Sequence, residues 1–239
     1  MGDDRLKYFL GKPIKVNNVD IFSPTINEIA DIGEIQYNVY LSLATFNKEV
    51  VFINLLNLSD DKYKEIENID TYDLFISVSV IRDELINALR FFTKKEINYS
   101  ESQYAFLVEN KIFMNKDNYI EISEKIKELN GIIEEDSVIR FKNEKAKQMY
   151  EKLQSFRNKY KKSGSADTLS LKDILSILCN AEGNGINVFN VGQLTIYQVY
   201  ALFERLNLKE QHTRLLRVWA NGYLGENHKL PEWIIKSKF

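Results

Sequence analysis

The chain has 239 residues, 44% of them hydrophobic and 28% charged, with a net charge of -2. That is enough apolar material for one large domain or two small ones, and the near-neutral balance argues against a protein built mainly for nucleic acid. Three prolines and ten glycines are few for this length and favour helices over a turn-rich sandwich.

The one cysteine, Cys179, rules out a disulfide framework within the chain and fits a reducing cytoplasm. The start, MGDDRLKYFLGK, has acids where a signal peptide needs bases. Arg5 and Leu6 do not supply the Ser or Thr of a myristoylation signal. No window approaches the roughly 20 apolar residues of a membrane span.

Residues 12–22 predict a strand pair. Ile14 and Val16 alternate with lysines, Asn17-Asn18 makes the turn, and Val19 and Ile21 resume the alternation. Ser23-Pro24 opens a helix with a Thr25/Glu28 capping box. Its apolar face is Ile26, Ile29, Ala30, Tyr37, Leu41 and Ala44, with Gly33 inside it. Residues 48–57 fit helix or strand. Residues 59–69 predict a small surface helix begun at Ser59-Asp60. Residues 71–92 predict one central helix, with a strand as the alternative over the β-branched run Ile76 to Ile81.

Residues 96–116 carry the best hairpin signal, with Asn110-Lys111 as its turn. An amphipathic helix over 118–129, on Tyr119, Ile122, Ile126 and Leu129, closes at Asn130-Gly131. Residues 140–162 hold nine basic residues against two acidic, a local charge of +7, around a stripe of Met149, Leu153, Phe156 and Tyr160. A solvated connecting helix explains this better than a contact surface; if it is a contact surface, an acidic protein partner ranks ahead of nucleic acid. Ser163-Gly164-Ser165-Ala166-Asp167 is the best domain boundary, dividing an α+β part (1–162) from a helical module (168–239). A helix over 169–181 turns Leu171, Ile174, Leu175 and Leu178 inward and ends at Gly183-Asn184-Gly185. Residues 186–192 then form an extended connector.

Residues 193–235 predict three short helices. Thr195 and Gln198 form a capping box. Ile196, Val199, Tyr200, Phe203 and Leu206 recur at helical spacing until Asn207-Leu208 breaks the run. The second helix has Leu208, His212, Leu215, Leu216 and Trp219 on one side and stops at Gly222. Pro231 opens the third, with Trp233, Ile234 and Ile235.

Nothing in the letters assembles an active site. His212 and His228 lie at no metal-ligand spacing from each other or from Cys179, and His212 reads as a partly buried structural histidine. Cys179 reads as a buried thiol on an apolar helix face. The clusters Asp3-Asp4, Asp60-Asp61 and Glu134-Glu135-Asp136 sit at element starts, where acids favour the helix dipole. Gly183-Asn184-Gly185 lacks the ending of a phosphate loop, and Gly-x-Ser-x-Gly does not occur. No enzyme, cofactor or metal is expected.

The letters LTIYQVYALFERLN, the following helix ending in Trp and Gly, and the closing Pro-Glu-Trp-Ile resemble the C-terminal part of tail assembly chaperones of phages and phage-tail-like particles of low-GC Gram-positive bacteria. The opening GKPIKVNNVDIFSPTINEIADIGEIQYNVYLSL and the segment INVFNVGQLT are similar to proteins encoded near tape-measure genes. The resemblance covers about a third of the chain and brings no catalytic residues. It implies a cytoplasmic host-cell protein that coats the helical tape measure protein and recruits tail tube protein. A homo-oligomer fits that role; a membrane does not, and nucleic acid is not an expected partner.

The aromatics Tyr197, Tyr200, Phe203, Trp219, Tyr223 and Trp233 build a small core or leave a groove for a partner helix. The core is expected to claim most of them. The partner-contact candidates are Tyr197, Tyr200 and Trp219, with Arg214 and Arg217 at the rim. Trp233 is expected to pin the module, and Trp219 to stay partly exposed. The expected fold class is α+β, predominantly α-helical, with short N-terminal and central β-hairpins and a C-terminal helical module. The alternatives are a structural subunit retained in the tail, neck or baseplate, and a nucleic-acid-binding regulator acting through residues 140–162.

Overall fold

A computed structural model describes residues 4–132, 169–222, 232–236 and 239. It is a helix-rich α+β fold with two small antiparallel sheets. The +7 segment, the boundary at 163–167, the acids at 134–136, and Tyr223, His228 and Pro231 lie outside the described residues.

A short helix that the periodicity does not announce comes first: α1, Arg5–Phe9. Strands β1 (Ile14–Val16) and β2 (Val19–Ile21) follow as expected, paired Ile14 to Ile21 and Val16 to Val19. Both turn residues take the left-handed conformation, Asn17 at φ 48° and Asn18 at φ 63°. That is the two-residue hairpin turn whose twist matches the strands, and asparagine tolerates it.

The capping box of Thr25 and Glu28 is present and starts α2, Ile26–Ile32. The predicted single helix then breaks. Gly33 at φ 84° and ψ 145° ends α2 and precedes α3, Glu34–Ala44. Only glycine enters that backbone region without strain. Residues Val50–Leu55 are neither plain α-helix nor strand but a π-helical turn, which buries Val51 and Phe52. A surface helix, α4 (Asp60–Ile66), follows Ser59 as expected.

The predicted central helix is also two helices. α5 (Thr71–Ser77) and α6 (Ser79–Thr93) meet at Val78, whose φ -97° and ψ 107° are extended. The β-branched run bends the chain there without becoming a strand. α6 is the centre of the fold: Leu85, Ala88, Leu89 and Phe92 are fully buried. It packs on α3 on one side and on strand β3 (Ile97–Ser100) on another. β4 (Ala105–Val108) and β5 (Lys111–Met114) complete a three-stranded sheet in the order β3-β4-β5. The β4–β5 turn is Glu109-Asn110, both at positive φ, one residue earlier than predicted. α7 (Tyr119–Leu129) buries Ile122, Ile126 and Leu129 and ends at Asn130-Gly131 as the sequence indicates.

Beyond the undescribed stretch, α8 (Leu171–Asn180) begins with a Ser170/Asp173 capping box and buries Ile174 and Leu178. Residues 186–192 are a compact turn and a short 3-10 helix, not an extended connector. The Asn187 carbonyl accepts from the amides of Asn190 and Val191. α9 then runs unbroken from Ile196 to Ala220. Asn207-Leu208 does not break it, since asparagine costs a helix interior only a few tenths of a kcal/mol, far less than proline. Residues 233–235 are bends, so the third helix predicted around them is not formed there.

α9 is joined to the N-terminal part at its first turn. The Ile26 amide donates to the Leu194 carbonyl and the Ile196 amide to the Pro24 carbonyl, both at 2.9 Å. The capping box of Thr195 and Gln198 is present, and Thr195 is buried. Thr195→Ala removes a cap worth about 1 kcal/mol. Urea unfolding should therefore show a lower midpoint with an unchanged slope; an unchanged midpoint would mean the backbone pairing alone holds this joint.

Candidate functional site: the exposed half of the long C-terminal helix

α9 has 25 residues, about 37 Å of helix, and its two halves have different surroundings. The first half is inside the fold. Ile196, Tyr197, Val199 and Ala201 are buried. Tyr197 meets the ring of Tyr8 edge-on at 5.4 Å and that of Phe239 at 5.7 Å. Gln198 Nε2 donates to the Phe9 carbonyl at 2.9 Å, tying α1 to this turn. Tyr200 is half-buried and packs on Gly131. Burial pushes its phenol up from the ordinary value, and the charge of Glu34 adds to the effect.

The second half is on the surface. Every residue from Arg214 to Ala220 is exposed. Four of them are large and apolar: Leu215, Leu216, Val218 and Trp219, the last 56% exposed. A helix turns about 100° per residue, so Leu208, His212, Leu215, Leu216 and Trp219 share one side. Leu208 and His212 are half-buried. Arg205 and Lys209 flank this stripe. Arg214 and Arg217 do not: the same rotation carries them toward the opposite side. Both are exposed cations.

The five sequence candidates thus separate. Tyr197 is a core residue, Tyr200 supports the core against α7, Trp219 lies on the exposed stripe, and the two arginines lie away from it. Cys179 is partly buried, not fully. Among the described residues no three His, Cys, Asp or Glu side chains gather where a metal ion would fit. No described helix is long and apolar enough to cross a membrane.

Two features escape the periodicity. One is an open cleft of about 200 Å³ between α8 and α9. Leu178, Ile186, Leu202, Leu206 and Trp233 give it apolar walls. Glu182 stands on the α8 side, and Arg205 and Lys209 on the α9 side. Arg205 Nη1 donates to the Trp233 carbonyl at 3.3 Å, which brings the C-terminal bend to the cleft. Trp233 is 37% exposed, so it borders the cleft and does not pin a core. The other feature is Val188-Phe189, at 73% and 92% exposure. The signal for it was present in the asparagines at 184, 187 and 190, the residues that staple tight turns.

Residues 159–238, which take in α8, the cleft and α9, match the family model described as the YomV second domain, a phage-derived family, which is consistent with a phage protein. No curated protein and no solved structure matches the chain.

Proposed function

We propose that this chain is a non-enzymatic phage tail assembly chaperone, which holds the helical tape measure protein in the host cytoplasm while tail tube protein is recruited. One observation supports the reading above the others. A helix anchored in the core at one end leaves Leu208, Leu215, Leu216 and Trp219 along one side of its outer half. A long amphipathic helix from a partner would bury such a stripe, with anchors at helical spacing. The match of residues 159–238 to a phage-derived family supports the setting.

The experiment is co-expression with fragments of the tape measure protein, followed by affinity capture. Trp219→Ala should weaken capture by about tenfold or more, as loss of an exposed aromatic anchor does. It should leave the unfolding midpoint nearly unchanged, because surface substitutions change stability by about 0.5 kcal/mol or less. Undiminished capture would remove the stripe from the partner surface. Mass spectrometry of purified particles separates the chaperone from a retained tail, neck or baseplate subunit: the former is absent from them and the latter present.

A further inference from the structure

The turn after α8 holds Phe189 out in solvent and fixes it there. The Asn187 amide donates to Asn190 Oδ1, the Phe189 amide to Asn187 Oδ1, and Asn190 Nδ2 to the Gly185 carbonyl, each at 2.9 Å. The Ile186 amide donates to Asn184 Oδ1 at 2.9 Å. These bonds order the turn before any partner arrives, so little further ordering is needed on binding. A phenylalanine 92% exposed on an ordered turn is a large apolar side chain without cover.

The cleft between α8 and α9 begins three residues away, at Ile186. A cavity of about 150 Å³ is known to accept benzene, so an apolar cleft of about 200 Å³ has room for a phenyl ring. The turn that carries the knob therefore also supplies Ile186 to the cleft wall. A two-fold axis beside them lets two copies exchange phenylalanines, each contact being made twice. The charges fit the same operation. Glu182 is on the α8 wall, and Arg205 and Lys209 are on the α9 wall. A two-fold pairing can therefore set the acid of one copy against the bases of the other.

We infer that the chain forms a two-fold homodimer in which Phe189 of each copy enters the α8–α9 cleft of the other. Arg205 and Lys209 border both the cleft and the stripe, but Trp219 lies about 15 Å further along α9, so the Trp219 variant separates this inference from the proposed function.

The test is the mass of the full-length protein by sedimentation over a concentration series, with circular dichroism as the check on folding. Wild type should pass from monomer to dimer. Phe189→Ala should fold normally, since the ring touches little, and weaken self-association by about tenfold or more. Glu182→Lys and Lys209→Glu, both at the rim, should each weaken it, and the double charge swap should restore part of the loss. Trp219→Ala should dimerise like wild type. A wild type that stays monomeric overturns the inference and leaves Phe189 to a foreign partner. Growth beyond the dimer overturns the two-fold geometry, and dimerisation of Phe189→Ala at wild-type strength overturns the role of the knob.

Discussion

Phe75→Ala should destabilise the fold by about 3–5 kcal/mol, the cost of emptying a phenylalanine site in a packed core. Phe75 is fully buried in α5. Its ring stacks on Phe46 with centroids 5.0 Å apart and meets Phe52 edge-on at 5.8 Å. Phe46 in turn lies 4.8 Å from Tyr119 and 6.1 Å from Tyr72. The ring cluster therefore joins four pieces of chain: the end of α3, the π-helical turn, α5 and the start of α7. Phe46 reaches this place only by adopting φ 50°, a conformation that costs a side-chain-bearing residue about 1–2 kcal/mol. Phe75 supplies one of the three ring contacts that sustain that cost, so removing it takes away packing and weakens the hold on the strained turn. Against a total stability of about 5–15 kcal/mol, the variant should show a much lower urea midpoint and an early thermal transition. A loss below about 1 kcal/mol would mean that the neighbouring rings close over the site and that the cluster is not the central knot.

The elements that were legible in the sequence are those whose signal is local. The Thr25/Glu28 and Thr195/Gln198 boxes start helices because a side chain and a backbone amide three residues apart settle the matter between themselves. Asn17-Asn18 makes its turn for the same kind of reason. The misjudged places depend on what packs where. Gly33 and Val78 each divide a continuous apolar pattern into two helices, because the pattern marks which side is buried and not whether the axis bends. Conversely, Asn207 interrupts the apolar pattern while α9 continues, since the second half of that helix has left the core and needs no buried face. That departure also explains the site. The stripe Leu208 to Trp219 was visible from spacing, and rotation about the helix axis carries Arg214 and Arg217 away from it. Phe189 was missed because a connector has no period, and only the asparagine spacing marks its turn.

Gly131→Ala should destabilise the fold by about 2–5 kcal/mol. Gly131 is the glycine that follows α7, and it sits at φ +70°. A side chain there costs about 1–2 kcal/mol from backbone strain alone. The new methyl carbon would also lie 2.7 Å from Cδ2 of Tyr200 and 3.2 Å from Cε1 of Phe239. Tyr200 cannot yield easily, since it sits half-buried between α7 and its own helix, and overpacking of this kind costs about 1–3 kcal/mol more. Next to the glycine, Asn130 is buried, accepts from the Tyr37 hydroxyl at 3.0 Å and donates to the Ile126 carbonyl at 2.7 Å. A shift of α7 to relieve the clash would therefore strain the joint with α3. Gly183→Ala is the control: it has φ +76° but nothing within 4 Å, so it should lose only the backbone part. The clash itself can be isolated by a double-mutant cycle. In a Tyr200→Ala background that ring is gone, and Gly131→Ala should then cost clearly less than in wild type, approaching the cost of Gly183→Ala apart from the 3.2 Å approach to Phe239. If Gly131→Ala costs as much with the ring absent as with it present, the damage comes from the backbone alone and α9 is not held against α7 at this point.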